Sequence, residues 1–226
     1  MILAAGLGTR MRPLTDDTPK PLLQVAGKPL LDRVAGLAHV EGATRFVVNA
    51  HHHREQMKPH VLALDASLAG THFDLSEETE LLNTGGGVKA ALPLLETDPI
   101  LVMNADSLWL SGDTPLQRMR DAYEGRIVLL CAHPARASGF TRRSHDFCLA
   151  PDGLITNDRG APVIYAGVAL IPRARIEAAP DGPFSLFSLF EAALERDELH
   201  GVALGAPWLH IGDPQALEAA DKRLTA

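Results

Sequence analysis

The stretch from Met1 to Pro21 constrains this chain more than any other. An apolar run, Met1 to Ala5, reads as a short strand, and Gly6-Leu7-Gly8 ends it abruptly. Glycine permits positive φ and lets backbone amides approach a ligand, so two glycines one residue apart predict a tight turn. Thr9-Arg10-Met11-Arg12-Pro13 follows, and then Pro19-Lys20-Pro21. A concave run of amides is a cradle for phosphate, and Arg10, Arg12 and Lys20 set positive charge beside it. The third glycine of a dinucleotide-binding fingerprint is missing, because Met11 stands in its place. Alone, the pattern predicts phosphate binding, with a plain strand-to-helix turn and solvated arginines as the alternative.

The next elements predict what this turn is built into. Pro29 to Val40 carries Leu30, Leu31, Val34, Leu37 and Ala38 at helical spacing, and Gly42 ends it. Thr44 to Asn49 reads as a buried strand, and strand, helix, strand in this order predicts a parallel βαβ unit. His51-His52-His53 leads into a second helix reaching Leu64, with Pro59 marking a candidate break. Adjacent residues of a regular element face different ways, so the histidines predict a helix-opening loop rather than one metal site. One of them, at a strand end, is placed to touch substrate.

Thr71 to Leu75 predicts another strand. Gly85-Gly86-Gly87, ahead of a helix predicted over 88–95, predicts a second backbone-lined loop close to ligand. Pro99 to Met103 is continuously apolar, as in a central parallel strand covered on both faces. It runs into Asn104-Ala105-Asp106. A carboxylate at the C-terminal end of such a strand lies where α/β enzymes keep catalytic or metal-binding groups.

A helix over 114–123 and a buried strand over 126–131 come next. From His133 to Asn157 the chain turns polar, with Arg136, Arg142, Arg143 and His145, and reads as a β-hairpin excursion around Pro151-Asp152-Gly153. Its arginines face either a second phosphate-bearing substrate or solvent. A strand over 162–171 returns to the core, and helices follow over 173–178 and 185–195, the latter capped by Ser185. After a strand over 202–204, Asp213 is the expected N-cap of a closing helix with Pro214 at its first position.

Length and charge bound the function. A chain of 226 residues buries one α/β core, and no repeat or composition break divides it, so one domain over 1–226 is expected. A net charge of −7 argues against a nucleic-acid partner, so an anionic ligand must be held by a local positive site. Cys131 and Cys148 are the only cysteines, which predicts no disulfide framework and fits a reduced cytoplasm. No apolar run approaches the ~20 residues of a membrane span, and no signal peptide precedes the first strand. The glycine turn comes so soon after Met1 that a native start a few residues upstream is compatible with it.

Read as a set, Gly6-Leu7-Gly8-Thr9-Arg10-Met11-Arg12-Pro13 with Pro19-Lys20-Pro21 resembles the signature of the sugar-1-phosphate nucleotidyltransferases. Four further blocks match that pattern in order: Asn83-Thr84-Gly85-Gly86, Asn104-Ala105-Asp106, Tyr165-Ala166-Gly167 and Trp208-Leu209-His210-Ile211-Gly212. The resemblance covers nearly the whole chain. It implies a Rossmann-like three-layer α/β sandwich with a mixed, mostly parallel central sheet and a small β excursion over the sugar site. It also implies a reaction joining a sugar 1-phosphate to a nucleoside triphosphate with release of pyrophosphate.

By the same resemblance, Gly6 and Gly8, with Leu3, Ala4, Ala5 and Thr9, would hold the triphosphate. Arg10 would stabilise the leaving pyrophosphate, and Lys20 would bridge the attacking phosphate and the α-phosphate. Asp106 would hold Mg²⁺. Glu78, Asn83, Thr84 and Gly85 would form the base pocket, and Asn104, Asp146 and Tyr165 would lie by the sugar. One position departs from the pattern: the family usually has a second metal-binding Asp where this chain has His210. Imidazole is a poor Mg²⁺ ligand beside carboxylate. Asp106 then carries the ion with phosphates and water, or Asp213 reaches in, or His210 coordinates a different ion such as Mn²⁺.

Within the family, a compact chain with Thr-Gly-Gly-Gly in the base loop looks most like the N-acetylmuramate-1-phosphate uridylyltransferases of cell-wall recycling, which make UDP-N-acetylmuramate from UTP. Mannose-1-phosphate guanylyltransferase or another hexose-1-phosphate nucleotidyltransferase is the alternative. A non-catalytic nucleotide-sugar-binding regulatory domain is the reading from another class, supported only by His210. The implied partners are the two small-molecule substrates, with the chain a monomer or small homo-oligomer.

Overall fold

The structure is a computed structural model describing residues 1–110, 112–140 and 144–225. Arg142 and Arg143, expected to face a phosphate or solvent, lie outside the described residues. Seven α-helices are described: α1 (Leu30–Val40), α2 (Arg54–Ser67), α3 (Asn83–Ala90), α4 (Pro115–Asp121), α5 (Arg173–Glu177), α6 (Leu186–Leu194) and α7 (Pro214–Thr225).

The principal sheet has a parallel centre. Ile2–Leu3 lies between Arg45–Ala50 and Ile100–Asn104, with His72–Glu77 beyond Arg45–Ala50, all parallel. Ile100–Asn104 then pairs antiparallel with the long strand Ala161–Ile171. That strand also carries Ile127–Ala132 and Phe147–Leu149, so the sheet is mixed, as expected. Phe147–Leu149 and Ile155–Thr156 form the predicted hairpin excursion. A small second sheet joins Ser107–Trp109, Trp208–His210 and Ala137–Ser138.

Side-chain alternation explains the three layers. Phe46, Val48 and Ala50 join one buried cluster with Leu30, Leu31 and Val34 of α1 and Met57 and Val61 of α2. Val47 points to the opposite cluster, which holds Val88 of α3, Ile176 of α5 and Phe190 of α6. The central parallel strands Ile2–Leu3, Arg45–Ala50 and Ile100–Asn104 are thereby covered on both faces. Helix α2 runs through Pro59 without ending there. Burial of Met57, Val61 and Leu64 on the sheet outweighs the backbone hydrogen bond that proline removes.

The glycine run departs from expectation. Gly85, Gly86 and Gly87 are not a loop before a helix; they are inside α3, which begins at Asn83. Close packing demands them. A Cβ at Gly85 would stand 2.2 Å from the Phe184 ring, one at Gly86 2.4 Å from the Gly182 carbonyl, and one at Gly87 2.6 Å from Glu78 Oε1. The amides of Gly85 and Gly86 both donate to the Phe184 carbonyl, at 2.8 and 3.2 Å. These glycines let the 182–184 segment press onto the helix.

Candidate active site

The turn after Ile2–Leu3 is built around Gly8, which adopts the left-handed region at φ 63° and leads into a short 3-10 turn over Thr9–Met11. Thr15 holds it from behind. Its hydroxyl donates to the Gly8 carbonyl at 2.8 Å, and its Cγ2 would lie 3.0 Å from a Cβ at position 8. A side chain there would be strained and crowded at once. Gly6 has nothing within 4 Å of a Cβ, so neighbouring side chains do not require its glycine.

This turn forms one wall of a cavity of about 590 Å³. The cavity opens at the C-terminal ends of the parallel strands, where open α/β sheets receive ligands. Twelve of the expected site residues line it: Leu3, Ala4, Ala5, Gly6, Gly8, Thr9 and Arg10 from the turn, with Lys20, Asn83, Thr84, Asn104 and Asp106 around them.

Opposed charges converge on its floor. The Lys20 ammonium is hydrogen-bonded and ion-paired to Asp106 Oδ2, with both side chains mostly buried. Burial would raise the Asp106 carboxyl, but Lys20, His210 and Arg10 together outweigh it and hold it below the usual carboxylate range. Strand register explains how position 210 arrives there. Trp208–His210 pairs antiparallel with Ser107–Trp109, setting His210 opposite Ser107, and the Ile211 amide donates to the Asp106 carbonyl at 2.9 Å. A Cβ at Gly212 would stand 2.8 Å from His210 Nε2 and 2.9 Å from Arg10 Nη1, so the imidazole and guanidinium flank the same glycine.

Residues 1–195 match the family model of the MobA-like NTP transferase domain. The chain belongs to the MobA-like NTP transferases. It is 38% identical to the N-acetylmuramate alpha-1-phosphate uridylyltransferase of Caulobacter vibrioides, over 99% of this chain and 96% of that protein. It is 30% identical to the mannose-1-phosphate guanylyltransferase catalytic subunit beta of Drosophila pseudoobscura, over 95% of this chain but 59% of that longer protein. The crystal structure of HddC from Yersinia pseudotuberculosis complexed with GMP-PN has a TM-score of 0.77 at 21% identity, covering 99% of this chain and 97% of that one, and shows the same fold.

Several expected site residues of this NTP transferase lie elsewhere. Glu78 is not on the cavity wall: it is 3% exposed, and its carboxylate accepts from Asn49 Nδ2 at 2.7 Å and from the Leu82 amide at 3.1 Å. Asn49 Oδ1 in turn accepts from the Ala4 amide at 2.7 Å, so that amide is taken up within the protein. Gly85 faces Phe184 rather than the cavity. Asp146 accepts from the Tyr165 amide at 2.9 Å, which fixes the hairpin excursion to the long strand. The Tyr165 ring packs on Phe187 and Phe190, and its buried hydroxyl has no hydrogen-bond partner among the described residues. Burial pushes that phenol above its ordinary range.

Asp213 caps α7, accepting from the Ala216 amide at 2.8 Å, which is the capping role the sequence predicts. Arg136 donates to the Gly205 carbonyl at 2.6 Å, tying down a loop rather than facing the cavity. Three residues that shape the site carry no motif of their own. Thr15 and Asn49 act through buried hydrogen bonds. Pro183 lines the cavity only because α3 is made of glycine where the 182–184 segment docks. The Thr-x-x-x-x-Lys spacing from Thr15 to Lys20 is the one local hint of the first.

Proposed function

We propose that this protein transfers a nucleotidyl group to a sugar 1-phosphate, releasing pyrophosphate, and that its sugar is N-acetylmuramate 1-phosphate and its nucleotide UTP. The observation that carries the transfer chemistry is the Lys20–Asp106 pair, closed over the glycine turn on the cavity floor. The 38% identity to a uridylyltransferase along nearly the full length of both chains supports the choice of sugar and base.

The sugar phosphate oxygen must attack the α-phosphorus in line, which brings two anions together. Two unit charges ~4 Å apart at an effective dielectric of ~20 repel by about 4 kcal/mol. Lys20 is the group set between them, and holding it on Asp106 keeps the ammonium oriented before substrate arrives. Arg10, at the outer end of the turn, meets the charge that builds on the departing pyrophosphate. The attacking phosphate is already anionic, so the step needs no general base. Gly6, Gly8 and Thr9 line the triphosphate side, and Asn83 and Thr84 the base side.

Among the described residues no three His, Cys, Asp or Glu side chains converge as a metal cluster. A single carboxylate still fits Mg²⁺, which takes one or two protein oxygens and completes its shell with phosphate oxygens and water. Asp106 is the residue that would hold it, and the ion would neutralise phosphate charge. Asp213 is spent as a helix cap, and His210 offers nitrogen where Mg²⁺ prefers oxygen.

Pyrophosphate release measured across four nucleoside triphosphates and a panel of sugar 1-phosphates tests the proposal. UTP with N-acetylmuramate 1-phosphate should give the highest kcat/KM, and Lys20→Ala should lower turnover by orders of magnitude. GTP with mannose 1-phosphate as the preferred pair would overturn the choice of sugar and base. A Lys20→Ala protein as active as wild type would overturn the site.

A further inference from the structure

The three consecutive histidines do not line the nucleotide cavity, yet each ring reaches a backbone carbonyl in one of the two segments that brace the glycine turn. His51 Nδ1 lies 3.1 Å from the Glu78 carbonyl, His52 Nε2 3.3 Å from the Thr15 carbonyl, and His53 Nε2 3.0 Å from the Asp16 carbonyl. A carbonyl only accepts, so in each contact the ring N–H donates. Adjacent side chains of a regular element diverge, but His53 sits in the left-handed region at φ 50°. That turn brings the His52 and His53 rings together, with centroids 4.0 Å apart. Gln56, in the first turn of α2, adds a fourth contact of the same kind, donating to the Asp17 carbonyl at 2.8 Å.

We infer that His51, His52 and His53 are positioning residues that clamp both ends of the glycine turn at the nucleotide site. On one side, His52 holds Thr15, which is 1% exposed and whose hydroxyl holds the Gly8 carbonyl. Gly8 leads directly into Thr9 and Arg10, and its Cβ position abuts Lys20 Cβ at 3.2 Å. His53 and Gln56 fasten the next two carbonyls of the same segment. On the other side, His51 holds Glu78, which holds Asn49, which holds the Ala4 amide at the start of the turn. The glycine turn is thus tied down at both its ends by one three-residue unit at the start of α2. Geometry at a phosphoryl-transfer site is costly to lose, because an error near 1 Å lowers rate about a hundredfold.

The inference rests on the proposed transfer reaction, and its test separates the two. His52→Ala should lower kcat/KM for the nucleoside triphosphate by about ten- to a hundredfold, while the KM for sugar 1-phosphate stays within error. His52→Gln, which keeps a donor near the Nε2 position, should recover most of the loss. Thr15→Val, which removes only the hydroxyl facing Gly8, should reproduce the defect, and the double variant should be no worse than the weaker single one. Amide hydrogen exchange over residues 8–17 should quicken in His52→Ala while the Ile100–Asn104 strand stays protected. Unchanged exchange over 8–17, equal losses toward both substrates, or failure of His52→Gln to recover activity would each overturn the clamp. Exchange needs no substrate, so a wild-type protein that turned over no substrate pair would sink the reaction and leave the clamp standing.

Discussion

Helix propensity and tertiary contact make opposite predictions at the three glycines of α3. In a solvated helix each Gly→Ala change stabilises by about 1 kcal/mol. At Gly87 the new methyl would lie 2.6 Å from Glu78 Oε1 and 2.7 Å from Asn49 Nδ2, and both must retreat by most of an ångström. Neither has room, since Glu78 is 3% and Asn49 2% exposed. Overfilling costs about 1–3 kcal/mol, and parting the buried Asn49–Glu78 hydrogen bond costs about 1–3 kcal/mol more. After the propensity gain, Gly87→Ala should destabilise by about 1–5 kcal/mol. For a chain of this size that lowers Tm by about 2–20 °C. At Gly85 the three atoms nearest a new Cβ all belong to the half-buried Phe184 ring, and moving that ring leaves the Asn49–Glu78 hydrogen bond intact, so Gly85→Ala should lower Tm less than Gly87→Ala. Urea denaturation and calorimetry of the two variants make the comparison. A Gly87→Ala protein with raised Tm, as in a solvated helix, would refute the close docking of α3 on Glu78 and Asn49.

Asp113 tests a charge away from the site. A hydrogen bond from Arg118, against the opposing effect of burial and with help from the Gly205 amide, holds its carboxyl below the usual range. A lowered native value means that the stabilisation is complete above about pH 4 and is lost as pH falls through that native value. Asp113→Ala should therefore be less stable than wild type at pH 7, with the gap closing only in stronger acid, as urea melts at several pH values would read. For the metal, Asp106→Asn should abolish metal-dependent turnover while His210→Ala keeps its Mg²⁺ dependence. A Mn²⁺ preference that His210→Ala removes would assign the imidazole as a ligand.

Much of the site was legible because its chemistry sits in short contiguous motifs. Gly8 needs positive φ, Asp106 follows the end of an apolar strand, and Asp213 precedes Pro214; each of these is a local rule, and each residue lies where that rule puts it. Glu78 was legible as a carboxylate in the right loop but not as a buried one. Its depth depends on Asn49, almost thirty residues earlier, and on a helix with no Cβ at Gly87. The glycine run itself reads as a flexible loop in any local scheme, because the partners that hold it helical, Phe184 and Gly182, come about a hundred residues later.

The sequence by itself determined the strand–turn–helix order, the glycine turn and the residue types available at the site, since periodicity, backbone freedom and side-chain chemistry are properties of neighbouring residues. Tertiary structure alone decided which groups meet. Strand register set His210 beside Asp106, ion pairing turned Lys20 inward, and a left-handed residue at His53 aimed two adjacent rings at one loop. Those outcomes depend on distances between elements far apart in the chain, and only the folded sheet brings such elements into contact.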